Sequence, residues 1–477
     1  MGNEIPSSHF NLNDLKVFTK RLRHETQLVS EWFSNNHFTF EQKMFGYELE
    51  AWLVDKNFQP APINVRFLQE LNDPLVVPEL ANFNIELNSL PQHLNNHVFS
   101  DMEKNLNQIY SQCRQRAQLL DSDLVMIGIL PTVKESDLSL EHMSDSQRYR
   151  ALNEQIFRLR HGRPLHIDIK GEEHLRTKHN DVMLEAAATS LQLHLQIPPH
   201  LATRYYNAAI ILSGSMVAAT GNAPYLFGKH LWEETRIPLF EQSVSIGGHK
   251  NSDEGHLKRV SFGTGYAKNS LLECFQENLD HFPVILPVLF DEPPEKLAHL
   301  RLHNGTIWRW NRPLIGFDKQ GKPHLRIEHR VISAGPSMID TVANAALFVG
   351  AVKSLVEADD PPEQMLSFTK ARKNFYAAAQ SGLQADLHWL DNKQKNAKEN
   401  ILKQILPLAQ SGLNRLKINK HDIQLYLGII EQRITTGQTG ANWQQRFIAA
   451  HGHSMSALTT TYAKLQQHGK PVHKWPI

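Results

Sequence analysis

Leu325-Arg326-Ile327-Glu328-His329-Arg330 decides the fold. Its charged residues Arg326, Glu328 and Arg330 fall at every second position, and a β-strand, with a side-chain period of two, puts all three on one face. Upstream, Gly305-Thr306-Ile307-Trp308-Arg309-Trp310 opens a strand-like stretch that runs to residue 317. The two are separated by Asp318-Lys319-Gln320-Gly321-Lys322-Pro323, a turn composition, so 305–317 and 324–332 read as a hairpin and hence as antiparallel.

Three more segments repeat the alternation: Gly46-Tyr47-Glu48-Leu49-Glu50-Ala51-Trp52, Asn82-Phe83-Asn84-Ile85-Glu86-Leu87-Asn88 and Leu191-Gln192-Leu193-His194-Leu195-Gln196-Ile197. Each lines up its polar residues on a single face: Glu48 with Glu50, Asn84 with Glu86 and Asn88, Gln192 with His194 and Gln196. Alternation, in place of uniformly apolar runs, favours an antiparallel sheet with one polar face. The ordinary fate of such a face is bulk water. Four carboxylates, one imidazole and two guanidiniums distributed over four such faces suit another: divalent cations held by hard oxygen ligands, with arginines free to meet phosphate. A concave sheet with that inner face would be an active site.

Residues 11–36 read as an amphipathic helix with Leu15, Phe18, Leu22, Val29, Trp32 and Phe33 on one side, capped by Asn11 or Asn13. Further helices are predicted at 99–120, 146–159 and 199–219, with a strand at 124–130. Beyond about residue 336 the chain turns helical, over 336–357, 362–379, 393–411, 421–435 and 443–467. The expected fold is α+β: a strongly curved, mostly antiparallel sheet forming a funnel, helices outside, and a helical C-terminal region. The expected division is an N-terminal helix (1–40), a catalytic domain (41–350) and a helical extension (351–477).

The chain has 477 residues with a formal net charge of +1, which leaves no electrostatic footprint for nucleic acid or an anionic membrane. Any anion site must be local. Cys113 and Cys274 stand alone, outside any zinc or disulfide framework, which fits a reducing cytoplasm. The start carries no signal-peptide pattern, and the apolar stretches around Ala208–Ala219 and Val342–Val352 read as too short or interrupted to span a bilayer.

Glu79 lies in the loop entering the second strand, seven residues before Glu86, so both can reach one site with Glu48 and Glu50. Such a carboxylate set can hold Mg²⁺ or Mn²⁺. The loop from Gly221 through Gly228-Lys229 to Arg236 offers one lysine and one arginine to nucleotide phosphates, although it is no Walker A sequence. A glutamate between Arg326 and Arg330 suits either a self-neutralising surface ladder or a metal ligand flanked by transition-state guanidiniums.

Taken in order, Glu48-x-Glu50, Asn84-x-Glu86-Leu87-Asn88-Ser89-Leu90-Pro91, Leu191–Gln196, Gly221-Asn222-Ala223-Pro224 with Gly228-Lys229 and Thr235-Arg236, His303-x-Gly305-Thr306, and Arg326-x-Glu328-x-Arg330 before Gly335-Pro336 form a pattern. It resembles the glutamate–cysteine ligases and related carboxylate–amine ligases of the glutamine-synthetase-like superfamily, the plant and proteobacterial type above all. The resemblance covers about residues 40–350. It implies ATP and magnesium (or manganese) inside the funnel. Glu48, Glu50, Glu79, Glu86, His194 and Glu328 would be metal-site residues. Arg236 and Arg330 would contact phosphates or the transition state, and Lys229, Gln192, Gln196 and Arg326 would complete the nucleotide-binding set. It further implies small-molecule substrates, glutamate and an amine (cysteine by default), and a place in glutathione biosynthesis. A guanidinium kinase on the same fold and a non-catalytic nucleotide-binding regulator remain the alternatives.

Overall fold

The computed structural model describes residues 4–246, 249–252 and 255–477. Eight strands make the main sheet: β1 (Met44–Asp55), β2 (Val76–Pro78), β3 (Asn84–Asn88), β4 (Gln92–His93), β5 (Ser122–Val125), β6 (Ser190–Ile197), β7 (Asn311–Phe317) and β8 (Pro323–Ser333). Their order is β7-β8-β6-β1-β3-β2, with β4 pairing β1 beyond one end of β3 and β5 pairing β1 beyond the end of β6, and every pairing in this sheet is antiparallel. The twelve-residue β1 is the spine: β6 and β5 follow one another along one edge, while β4 and β3 share the other. The β7–β8 hairpin turns where the sequence predicts, and Pro313, lacking an amide donor, sits on the edge strand β7.

Alternation sorts the two faces. Leu49, Ala51, Ile85, Leu87, Leu191, Leu193, Leu195, Leu325 and Ile327 are buried and alternate with the polar set. Four long helices are α1 (Leu12–Ser34), α2 (Val98–Gln118), α3 (Ala202–Thr220) and α4 (Met338–Val356), and the last three back the sheet. Helix α1 (Leu12–Ser34) is closed by a capping box in which Asn11 Oδ1 accepts from the amides of Asn13 and Asp14. Phe99 of α2 meets Phe45 of β1 edge to face, Ser213 of α3 accepts from Asn311 of β7, and Phe348 of α4 stacks on His329 of β8 at 3.9 Å. Burial on all sides explains why α3 and α4 are apolar all round. Helix α4, at 19 residues, is long and apolar enough to cross a membrane by length and composition, longer than the interrupted stretch read from sequence, but 94% of its apolar window is buried inside the protein.

Two local expectations are corrected and one unassigned segment is filled. The helix expected over 393–411 begins at Ala397, because Gln394–Asn396 pairs with Asp386–His388 as a hairpin. The helix expected over 443–467 is two, Gly440–His451 and Met455–Gln467, broken at Gly452 with φ +86° and restarted by the Ser454 cap. Leu165–Lys170 and His174–His179 form a hairpin with alternating exposure in a segment the sequence reading left unassigned. One apolar cluster runs from Phe18 of α1 through the sheet to Trp475.

Behind α4 the packing is backbone on backbone. Gly412, in the helix Leu406–Arg415, faces Gly350 so closely that a Cβ on either would collide with a carbonyl of the other helix. A backbone carbonyl cannot swing aside. Gly412→Ala should therefore lose roughly 1–3 kcal/mol through overpacking, outweighing the ~1 kcal/mol alanine gains in helix propensity. Urea unfolding checks this: a lowered midpoint is expected, and an unchanged or raised one contradicts it.

Candidate active site and metal centre

Strand register places the polar residues in rows across the sheet. Glu328 of β8 pairs with His194 of β6, which pairs with Gly46 of β1. In the next row Gln192 pairs with Glu48, and Glu48 with Asn88. In the third, Glu50 pairs with Glu86 of β3, whose other neighbour is Val77 of β2. Glu79, one residue past the end of β2, closes on the same spot. The chain crosses from β2 to β3 so tightly that Glu79 donates its amide to the carbonyl of Asn84.

These rows line a cavity of about 300 Å³. Two groups of three potential ligands stand in it, Glu48 with His194 and Glu328, and Glu50 with Glu79 and Glu86; within each, one ligand atom per residue lies within 4.8 Å of the others. Nε2 of His194 is 3.1 Å from Glu48 and 3.9 Å from Glu328.

The two groups differ in how their charge is balanced. Arg312 forks onto both carboxylate oxygens of Glu328 at 2.7 and 2.8 Å, and Arg330 approaches at 3.3 Å. Burial alone would push Glu328 up, but Arg312, then Arg330 and His194, bring it down to about 2. Glu48 behaves alike: against burial, His194 and Arg330 hold it well below the usual carboxylate range. The second group lacks such cations. Glu50 accepts from the Ser190 amide at 2.6 Å, the Ser190 hydroxyl and Gln192, yet burial and then Glu79 push it up to about 8. Burial, then Glu48 and Glu79, raise Glu86 well above the usual range, and burial raises Glu79. Glu86 is fully buried, and neither of its oxygens accepts from a donor among the described residues; its polar neighbour is the Glu79 carboxyl, with which it can share a proton.

Two unsatisfied oxygens in a nest of three acids fit a hard divalent cation. Both ring nitrogens of His194 are likewise without a well-aligned hydrogen bond. The residues present suit the metal set implied by the sequence resemblance.

The other site residues divide. Arg326, Glu328 and Arg330 all line the cavity, as does Gln192, and Nε of Arg326 has no partner among the described residues. Arg236 does not line it. Its guanidinium is 2% exposed, bonded to Glu234 at 3.1 Å and to the Val331 carbonyl at 2.8 Å, over the ring of Trp310. Lys229 lies on a short hairpin, Tyr225–Leu226 with Lys229–His230, that contacts the C-terminal region through His230 and Gln445. Gln196, beside Arg326, is also outside the cavity lining. Arg309 is held by Asn278 and Glu277, away from the cavity. Sequence reasoning missed Arg312 and Glu185, which both line the cavity. Arg312 was within reach, since counting back through the Asp318–Lys322 turn puts it opposite Glu328.

A family model described as glutamate–cysteine ligase family 2 (GCS2) matches residues 44–461, and the chain belongs to that family. It is an enzyme of the ligase class. No curated protein gives a significant match. Among solved structures, a glutamate–cysteine ligase from Francisella tularensis, in complex with AMP, superposes with a TM-score of 0.53 at 11% identity, over 92% of this chain and 91% of that one. A bifunctional glutathione synthetase from Pasteurella multocida gives a TM-score of 0.53 at 12% identity, over 95% of this chain and 55% of that one. At these identities the likeness is one of fold.

The raised carboxyls set a pH dependence. An acid whose pKa is raised in the folded state stabilises the fold below its ordinary pKa of 4.5, and that stability is lost as pH rises through the folded value, about 8 for Glu50. In excess chelator the melting temperature should fall between pH 5 and 8.5. Excess Mg²⁺ or Mn²⁺ should flatten the profile, because the cation replaces the protons. Glu86→Gln should flatten it without metal and abolish the metal's effect. Identical profiles with and without metal would contradict this assignment.

Proposed function

We propose that this member of glutamate–cysteine ligase family 2 joins the γ-carboxyl of glutamate to an amine, with cysteine as the acceptor, in an ATP- and Mg²⁺-dependent reaction through an acyl phosphate. The observation that carries the reading is the pair of ligand groups in one cavity, beside the unpartnered face of Arg326 and the guanidinium of Arg330. The AMP held by the Francisella ligase, which shares the fold, supports a nucleotide substrate.

A carboxylate is a poor electrophile. Phosphorylation by ATP makes it a good one, and the amine then displaces phosphate by way of a tetrahedral oxyanion. The metal residues would be Glu48, His194 and Glu328 on one side and Glu50, Glu79 and Glu86 on the other. Bound there, divalent ions would screen the triphosphate and polarise the transferring phosphoryl group.

The chain's own residues do the rest. Arg330 is 8% exposed, with its guanidinium 5.7 Å from the ring of Phe240, so it meets the reacting phosphoryl group as a fixed planar fork. Arg326 offers its free Nε–H to phosphate oxygens. Arg312 holds Glu328 charged and oriented, and so acts through it. Arg236 also acts at one remove. It grips the carbonyls of Arg330 and Val331, where β8 bulges between His329 and Ile332, and that grip fixes the backbone presenting Arg330.

Arg330→Lys keeps the charge but loses the fork, so kcat should fall roughly 10²-fold or more with a smaller change in KM for ATP. A near-normal kcat with a raised KM for ATP would reassign Arg330 to ground-state binding. The reaction itself is tested with glutamate carrying ¹⁸O in its γ-carboxyl. With ATP, Mg²⁺ and cysteine, the phosphate released should carry label. Label retained wholly in glutamate, with a guanidinium acceptor phosphorylated in its place, would make the protein a kinase.

A further inference from the structure

Glu185 lines the same cavity but belongs to neither ligand group. It sits on a single turn of 3₁₀-helix, Met183–Ala187, immediately ahead of β6. That turn is anchored: Met183, Leu184, Ala186 and Ala187 are buried, and the Val182 amide donates to Asn153. Glu185 is half-buried and lines the cavity. Among the described residues nothing donates a hydrogen bond to it and no cation pairs with it; the charges that act on it are Glu79 and Glu50, which repel, and Arg330. Burial, then Glu79 and Glu50, make its charged form costly, and glutamine would fill the space without that cost. A cationic ligand removes that cost.

The clusters already account for the metal-binding carboxylates, so the cation belongs to a substrate. In the reaction proposed above, on which this step rests, both organic substrates are amino acids, and each brings an ammonium group. We propose that Glu185 is the carboxylate that receives the ammonium group of an amino-acid substrate in the cavity. It is a specificity residue: it favours α-amino acids over the same molecules without the amine.

Calorimetric titration of the Mg²⁺-loaded protein tests this with glutamate, glutarate, cysteine and 3-mercaptopropionate as ligands. Glu185→Gln should weaken either glutamate or cysteine roughly tenfold or more while leaving its des-amino analogue unchanged, and Glu185→Asp should keep part of the affinity. Loss on the glutamate arm assigns the ammonium to the donor, and loss on the cysteine arm to the acceptor. Wild-type-like affinity for both amino acids in a Glu185→Gln protein of normal melting temperature overturns the inference. So does equal weakening of an amino acid and its analogue, or failure of either amino acid to bind the wild type. Product analysis separates the two readings: wild-type γ-glutamyl product with no effect of Glu185→Gln on binding sinks only this inference. Amino-acid affinity that falls in the variant, with no γ-glutamyl product from the wild type, sinks only the ligase reading.

Discussion

Carboxylates crowded into a buried cavity repel one another, and the fold must bring positive charge to them or leave them protonated. Here the sheet does both. On the β8 side Arg312 and Arg330 neutralise Glu328, and His194 serves Glu48, so these two acids stay ionised. On the β3 side Glu50, Glu79 and Glu86 have no such partners and are pushed towards protonation. The imbalance is why the second group suits a cation better than a salt-bridge network. A metal bound there would exchange protons for a charge the protein does not supply.

Rigid strands make this imbalance sustainable. Each of these residues except Glu79 stands within a strand whose other face is buried, so a one-residue slip would throw its apolar residues into the cavity. The one departure from regular register among the described residues of the main sheet, the bulge in β8, lies at Arg330, the residue proposed to meet the phosphoryl group. Arg236 braces that bulge from beneath, through backbone carbonyls.

Much of this was legible in the sequence, and for one reason. A period of two is a local property, so Glu48 with Glu50, Gln192 with His194, and Arg326 with Glu328 and Arg330 declared their shared faces without any knowledge of pairing. Glu79 was read from a loop because its distance from Glu86 was short enough for a tight crossing. The rest depends on contacts distant in the chain. Arg312 acquires its role only through hairpin register, and Glu185 only because its 3₁₀ turn folds over the cavity. Arg236 read as a phosphate ligand because its loop is rich in turn residues and cations, and nothing local reveals that Glu234 and the β8 backbone take up its donors. Along the C-terminal half, helical periodicity gave the helices but not the break at Gly452, where one positive-φ residue outweighs a continuing apolar pattern.

The central claim is that the two ligand groups are metal sites within one cavity. Anomalous diffraction at the manganese edge, from crystals grown with Mn²⁺, tests it without reference to turnover. The account predicts anomalous density at both groups, one ion held by Glu48, His194 and Glu328 and another by Glu50, Glu79 and Glu86. Density at neither group, with Mn²⁺ in excess and the six side chains ordered, would contradict it.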